Sequence, residues 1–227
     1  MVSASGEPQR TESSFIDDRD TLSAAVITLH DQGDADGRSL RRLRNREHVL
    51  MTVLGLIRAG DSDPSVQAIA DGAGVSLRSI FRYFDDLDNL LCAAVELGVQ
   101  QAMPLSVIPN AGEGALELRI DTYVDTRLRL YGASHEFGRI ARNRSDAIPA
   151  LARTIRGIQD LMRCQARAQF EPELERLDPV DAEFTLDAVT LMTGFGAYDT
   201  ERRLMGHGPE RIRIVWKRNL AAQLSAG

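Results

Sequence analysis

The segment 66–83 constrains the fold more than any other. It describes two short helices joined by a turn too tight for most side chains. Ile69 is placed to bury between the helices, and Ala70 is small where they would cross. Ala73 faces inward as well. Gly74 can take the positive φ of the turn without steric cost. Val75 then plugs the turn, Ser76 can cap the free amides of the second helix, and Ile80 packs back on the first. A chance helical hairpin would meet some of these needs. This segment meets all of them at the spacing of a helix-turn-helix.

The surrounding chain has the same helical period. Leu43, Val49, Leu50, Val53, Leu54, Leu56 and Ile57 predict a helix with one broad buried face, ended by Gly60 and Asp61. Ser65 is the expected cap of a helix starting at Val66, and Gly72 and Gly74 break it. A third helix should run from the Ser76 cap through Phe84. A fourth should open at Asp85-Asp86 and carry Leu87, Leu90, Leu91, Ala94 and Val95. Pro104, Pro109 and Gly112 mark a break. Beyond it, Leu116, Ile120, Tyr123, Val124 and Tyr131 share one side of a helix. Ile148, Leu151, Ile155, Ile158 and Met162 form a seam spaced by 3 and 4. A helix near 180–200 has two apolar stripes: Phe184, Ala188, Leu191 and Phe195, and Leu186, Val189 and Met192 with Thr193. The last helix carries Ile212, Val215, Trp216, Leu220 and Leu224. Alternating β-branched runs are absent, so the expected class is all-α.

The formal charge of −6, taken whole, argues against a nucleic-acid partner. Its distribution removes the argument. Residues 1–37 carry 2 basic and 8 acidic groups, whereas 38–100 and 101–227 are each neutral. The leader 1–37, rich in Ser, Gly and Asp, is expected to be mostly disordered, with a short helix conceivable at 21–30. Five arginines (Arg38, Arg41, Arg42, Arg44, Arg46) fall in 38–46 without an acid, and Arg78 and Arg82 fall in 72–84 without one. A solvated helix face and an anion-binding patch are both open readings of such a run. The expected domains are therefore the leader 1–37, a helix-turn-helix domain at 38–100, and a helical domain at 101–227.

The run from Val66 to Phe84, followed by Leu90, resembles the signature of TetR-type (TetR/AcrR-like) transcriptional regulators, and Arg46, Val49 and Leu50 match that family's first helix. The specific match spans about 42–95; the rest agrees only in layout. The resemblance implies a three-helix DNA-binding domain, then a helical effector-binding domain whose last two helices form a dimer interface. The family often has Tyr where this chain has Phe81, and usually has Lys where it has Leu87, so two phosphate contacts are missing. The arginine-rich start of the first helix is expected to compensate. A recognition helix enters the major groove N-terminus first. Arg78 and Arg82, four apart, would reach guanine edges or phosphates, and Leu77 a thymine methyl. Ser65, Ser79 and Tyr83 would meet phosphate, core packing being an equal reading for Tyr83. Ser76, Arg42, Arg44 and Arg46 complete the expected DNA-binding set, while Phe81 and Phe84 are expected to pack.

Such a reader needs two half-sites, hence a dimer. The residues expected at the dimer interface are Leu186, Val189, Met192, Ile212, Val215, Trp216 and Leu220. A wholly buried helix at 184–198 is the competing reading. Tyr123, Tyr131, His135, Phe137, Met162, Thr190, Met192 and Phe195 are expected to line an effector pocket for a small lipophilic or aromatic molecule. The leading expectation is a repressor released from a palindromic operator by that ligand. A regulator without a ligand, and a helical small-molecule binder that no longer binds DNA, are the alternatives.

Enzyme readings find no support. The chain's one lysine is Lys217, and P-loop, GxSxG, HExxH, CxxC and GxGxxG patterns are absent. No cofactor or metal is expected, His30, His48, His135 and His207 being scattered. Ser134-His135 is expected to be a helix cap beside a surface histidine, and Asp199, Glu201, Arg202 and Arg203 a solvated loop. The longest nearly apolar run, 49–57, is too short for a membrane span. Without a visible signal peptide, and with Cys92 and Cys164 expected as buried thiols, a cytoplasmic protein is expected.

Overall fold

The computed structural model describes residues 37–225. The acidic leader, with the helix conceivable at 21–30, lies outside the described residues except for Gly37. Helices α1 (Gly37–Arg58), α2 (Val66–Ala73), α3 (Leu77–Tyr83) and α4 (Leu87–Ala102) form an N-terminal head. A 3-10 turn at Met103–Ser106 leads to the body: α5 (Leu116–Arg144), α6 (Pro149–Leu174), α7 (Pro179–Met192), α8 (Phe195–Arg203) and α9 (Pro209–Leu224). There is no strand among the described residues, and the fold is all-α. None of their helices is long and apolar enough to cross a membrane.

Local chemistry sets the head's boundaries. Gly60, at φ 100°, closes α1: its amide donates to the Ile57 carbonyl and that of Asp61 to Leu56. The Ser65 hydroxyl accepts the Ala68 amide at 3.1 Å and starts α2. Gly74 ends it in the left-handed region, φ 61° and ψ 35°. Ser76 accepts the Ser79 amide, and Asp86 accepts that of Asn89, to start α3 and α4. Val49, Val53, Leu54 and Ile57 of α1 bury against Ile69, Ala70, Ile80, Phe84, Leu90 and Ala94. Leu43, placed by periodicity on the buried face, and Phe81, expected to pack, are 59% and 53% exposed. A helix as short as α3 has room for one buried row, and Ile80 fills it.

In the body, α5 is the central element, packed by α4, α6 and α9. The single helix expected near 180–200 is instead two, broken at Thr193 (φ −114°, ψ 11°) and Gly194 (φ −78°, ψ 166°). A β-carbon at Gly194 would lie 2.9 Å from the Thr190 carbonyl oxygen, so only glycine fits this corner. The break also decides which stripe of α7 is inside. Leu186 and Val189 are fully buried, while Phe184 and Leu191 are 67% and 76% exposed. Of the two cysteines, Cys92 is half-buried and Cys164 is exposed, so the expected pair of buried thiols is not what the fold makes.

Candidate nucleic-acid interface and effector cavity

Helix α3 presents Leu77, Arg78, Phe81 and Arg82 on one exposed face. These positions recur at i, i+1, i+4 and i+5, so they share a side. Ile80 anchors the opposite side in the core. Leu77 is 40% exposed. Ser65 and Ser76 are exposed beside their helix starts. Ser79 is half-buried, and its hydroxyl lies 3.0 Å from that of Ser76.

The arginines of α1 adjoin the end of α3. Arg42 donates to the Arg82 carbonyl at 3.3 Å, Arg46 stacks on the Phe84 ring at 4.9 Å, and Arg44 is exposed. Tyr83 is half-buried between them. Asn45 and Arg82 both donate to its phenol oxygen, at 3.3 Å each. These bonds, Asn45 first, hold the phenol below its ordinary pKa range and leave its own O–H free to donate. Leu87 is exposed at the start of α4, where the family resemblance leads one to expect a lysine.

A cavity of about 630 Å³ lies between α4, α5, α6 and the α7–α8 corner. Its size suits a small organic molecule. Six of the residues expected around a ligand line it: Tyr123, Tyr131, Phe137, Met162, Thr190 and Phe195. A β-carbon at Gly138 would lie 2.8 Å from the Phe195 ring, so the glycine lets that ring lie flush against α5. Burial pushes the Tyr131 phenol far above its usual range, keeping it neutral. Met192 and His135 do not line the cavity. The His135 Nε2 meets Asp199 at 2.9 Å and its Nδ1 meets Glu136 at 3.2 Å.

Those contacts correct two expectations. Ser134 and His135 are interior to α5, the Ser134 hydroxyl donating to the Leu130 carbonyl. Asp199, Glu201, Arg202 and Arg203 are helical, not a loop. Glu201 is buried and accepts from the Trp216 indole at 2.7 Å and meets the His207 Nδ1 at 3.1 Å. The sequence reading also missed Arg127, which lines the cavity fully buried. A signal was present: Arg127 continues the spacing of Tyr123, Val124 and Tyr131 on one helix face.

The expected dimer residues lie differently. Leu186, Val189, Ile212, Trp216 and Leu220 belong to the subunit's own core, and Met192 and Val215 are half-buried against it. In the single chain the first five bury one another, while Met192 and Val215 stay partly exposed. The apolar face left open on α7 is Val180, Phe184 and Leu191, with Ile214 of α9 exposed as well. No group of His, Cys, Asp and Glu side chains among the described residues could hold a metal ion.

No family model matches the chain, and no curated protein matches it in sequence. A crystal structure of a transcriptional regulator from Rhodococcus sp. Rha1 is similar in fold. The TM-score is 0.61 at 18% identity, covering 82% of this chain and 96% of that one.

Proposed function

We propose that the chain is a TetR-type transcriptional regulator. It binds a palindromic DNA operator as a homodimer and is released as a repressor by a small lipophilic or aromatic ligand. The exposed face of α3, a helix capped by Ser76 and carrying Arg78 and Arg82, carries this reading. The arginines of α1 beside it add sequence-independent attraction to phosphate and stand in for the lysine that Leu87 replaces. The expected domains follow: 38–100 reads DNA, and 101–227 senses and dimerises. The exposed Phe184, Leu191 and Val180 of α7 suit a four-helix contact with a second copy, together with α9.

Helix α4 couples the two functions. Leu90 and Ala94 pack in the head, while Val95, Val99 and Ala102 line the cavity. Phe137 lines the cavity and lies near Gly98, where a β-carbon would come within 3.2 Å of both Phe137 and Leu54 of α1. A ligand that displaces Phe137 therefore moves the head. It does so only through its differential affinity for the two arrangements.

Pull-down of genomic fragments by the full chain near physiological salt, with sequencing, tests the reading. Enrichment of a palindrome with half-sites one helical turn apart, about 34–36 Å, is expected. Capture without a common sequence counts against it. A palindrome whose complex no compound dissociates or stabilises would favour a regulator without a ligand.

A further inference from the structure

Helix α5 buries two guanidinium groups against α6, and supplies a counter-ion to only one. Arg119 is 5% exposed and pairs with both oxygens of Glu173, at 2.5 and 2.7 Å. Arg127, two turns on, is fully buried. Its Nη1 donates to the Gln165 amide oxygen at 2.7 Å and its Nη2 to the Met162 carbonyl at 3.0 Å. Its face lies 4.5 Å from the Tyr123 ring. All three partners are neutral, and no carboxylate among the described residues lies within ion-pair distance. A buried cation without a counter-charge is costly, and buried arginines are rarely left so. Arg127 is also among the residues that line the cavity.

The rest of the lining offers an anion little else. The hydroxyls of Ser134, Thr154 and Thr190 donate back to carbonyls four residues earlier. Asp187 is already paired with Arg163 at 2.7 Å, and Asp160 is exposed. The one other cation of the lining without an ion pair among the described residues, Arg142, is exposed with its guanidinium 5.9 Å from the Phe195 ring. Taking the cavity as the effector site, we infer that its ligand is an amphipathic monoanion, a carboxylate on an apolar body. The carboxylate meets the Arg127 fork. The body lies against Tyr131, Phe137, Ile155, Ile158 and Phe195. One guanidinium balances one charge, so a phosphate monoester, with nearly two, would be left partly uncompensated.

The test is calorimetric titration of the full chain with two acids, dodecanoate and 2-naphthylacetate, each beside its methyl ester. At least one acid should bind roughly tenfold or more tighter than its ester, a difference of about 1.4 kcal/mol. In Arg127→Met that preference should fall below about twofold while the ester still binds, and Arg127→Lys should restore part of it. Equal binding of acid and ester by the wild type overturns the inference and leaves the effector site standing. Failure of all four probes to bind at about 1 mM overturns both. The wild-type comparison decides the matter even if Arg127→Met does not fold.

Discussion

In the head, Arg42, Arg44, Arg78 and Arg82 lie exposed on two adjoining helices; in the body, Arg119 and Arg127 lie buried between α5 and α6. The same side chain does opposite work. An exposed guanidinium stays hydrated until a partner arrives, so its removal should register in binding and hardly in stability. A buried one has lost its water and must be compensated inside the fold or by what the fold encloses. Arg119→Met should therefore have the largest effect. It strands the Glu173 carboxylate and should destabilise the chain by about 3–5 kcal/mol in urea unfolding. Arg119→Met with Glu173→Leu should recover most of that loss. If the double variant is no better than the single one, charge compensation is not what Arg119 provides.

The head's arginines set the contrasting case. Arg78→Ala should cost about 1–3 kcal/mol of operator affinity and relax preference at one base position, as expected for a base-edge contact. Arg42→Ala should weaken binding to all sequences alike and lower the salt slope by about one. Both should leave unfolding stability within about 0.5 kcal/mol of the parent. An Arg78→Ala profile parallel to the parent's across operator variants would move that residue to the phosphate backbone.

Gly74→Ala comes next. The residue sits at φ 61°, where a β-carbon meets the following carbonyl, although nothing else lies within 4 Å of it. A loss of about 1–2 kcal/mol is expected from backbone strain alone. A neutral result would mean that the turn relaxes and that glycine is not what shapes it.

What was legible in the sequence follows the same division. The head's structure is written in contacts a few residues apart: Ser65 to Ala68, Ser76 to Ser79, Asp86 to Asn89, and Gly74 closing α2. Propensity and spacing expose these directly. The body depends on contacts between distant residues. Apolar periodicity brought Tyr123, Tyr131 and Phe137 to the cavity wall, but nothing local says that Glu201 holds Trp216, or that His135 turns to Asp199. The two stripes of α7 looked alike by period. The corner at Gly194 and the neighbouring α9 decided between them. Arg127 was passed over because a charge on an apolar face is ordinarily read as a residue that reaches solvent.

The smallest expected effect separates the two regions by pH. In the head, α3 starts on an uncharged hydroxyl, so Ser76→Ala should cost about 1 kcal/mol at pH 7 and the same at pH 3.5. In the body, α6 is tied to α7 by Glu183, which meets Arg163 at 2.8 Å and also pairs with Arg167. The hydrogen bonds from Arg163 and then Arg167 hold its carboxyl below the usual range. A carboxylate whose folded pKa is depressed contributes fully above its unfolded pKa, near about 4.3. That contribution is lost as pH falls through the lower folded value. Glu183→Gln should thus be slightly less stable than the parent from pH 7 down to about 5, and the two should converge as pH falls through the depressed folded value. Because Glu183 is exposed, salt should shrink the difference further. A Glu183→Gln deficit that persists unchanged at low pH would mean that shape, not charge, joins these helices. The body would then be held as the head is, by local fit rather than by paired ions.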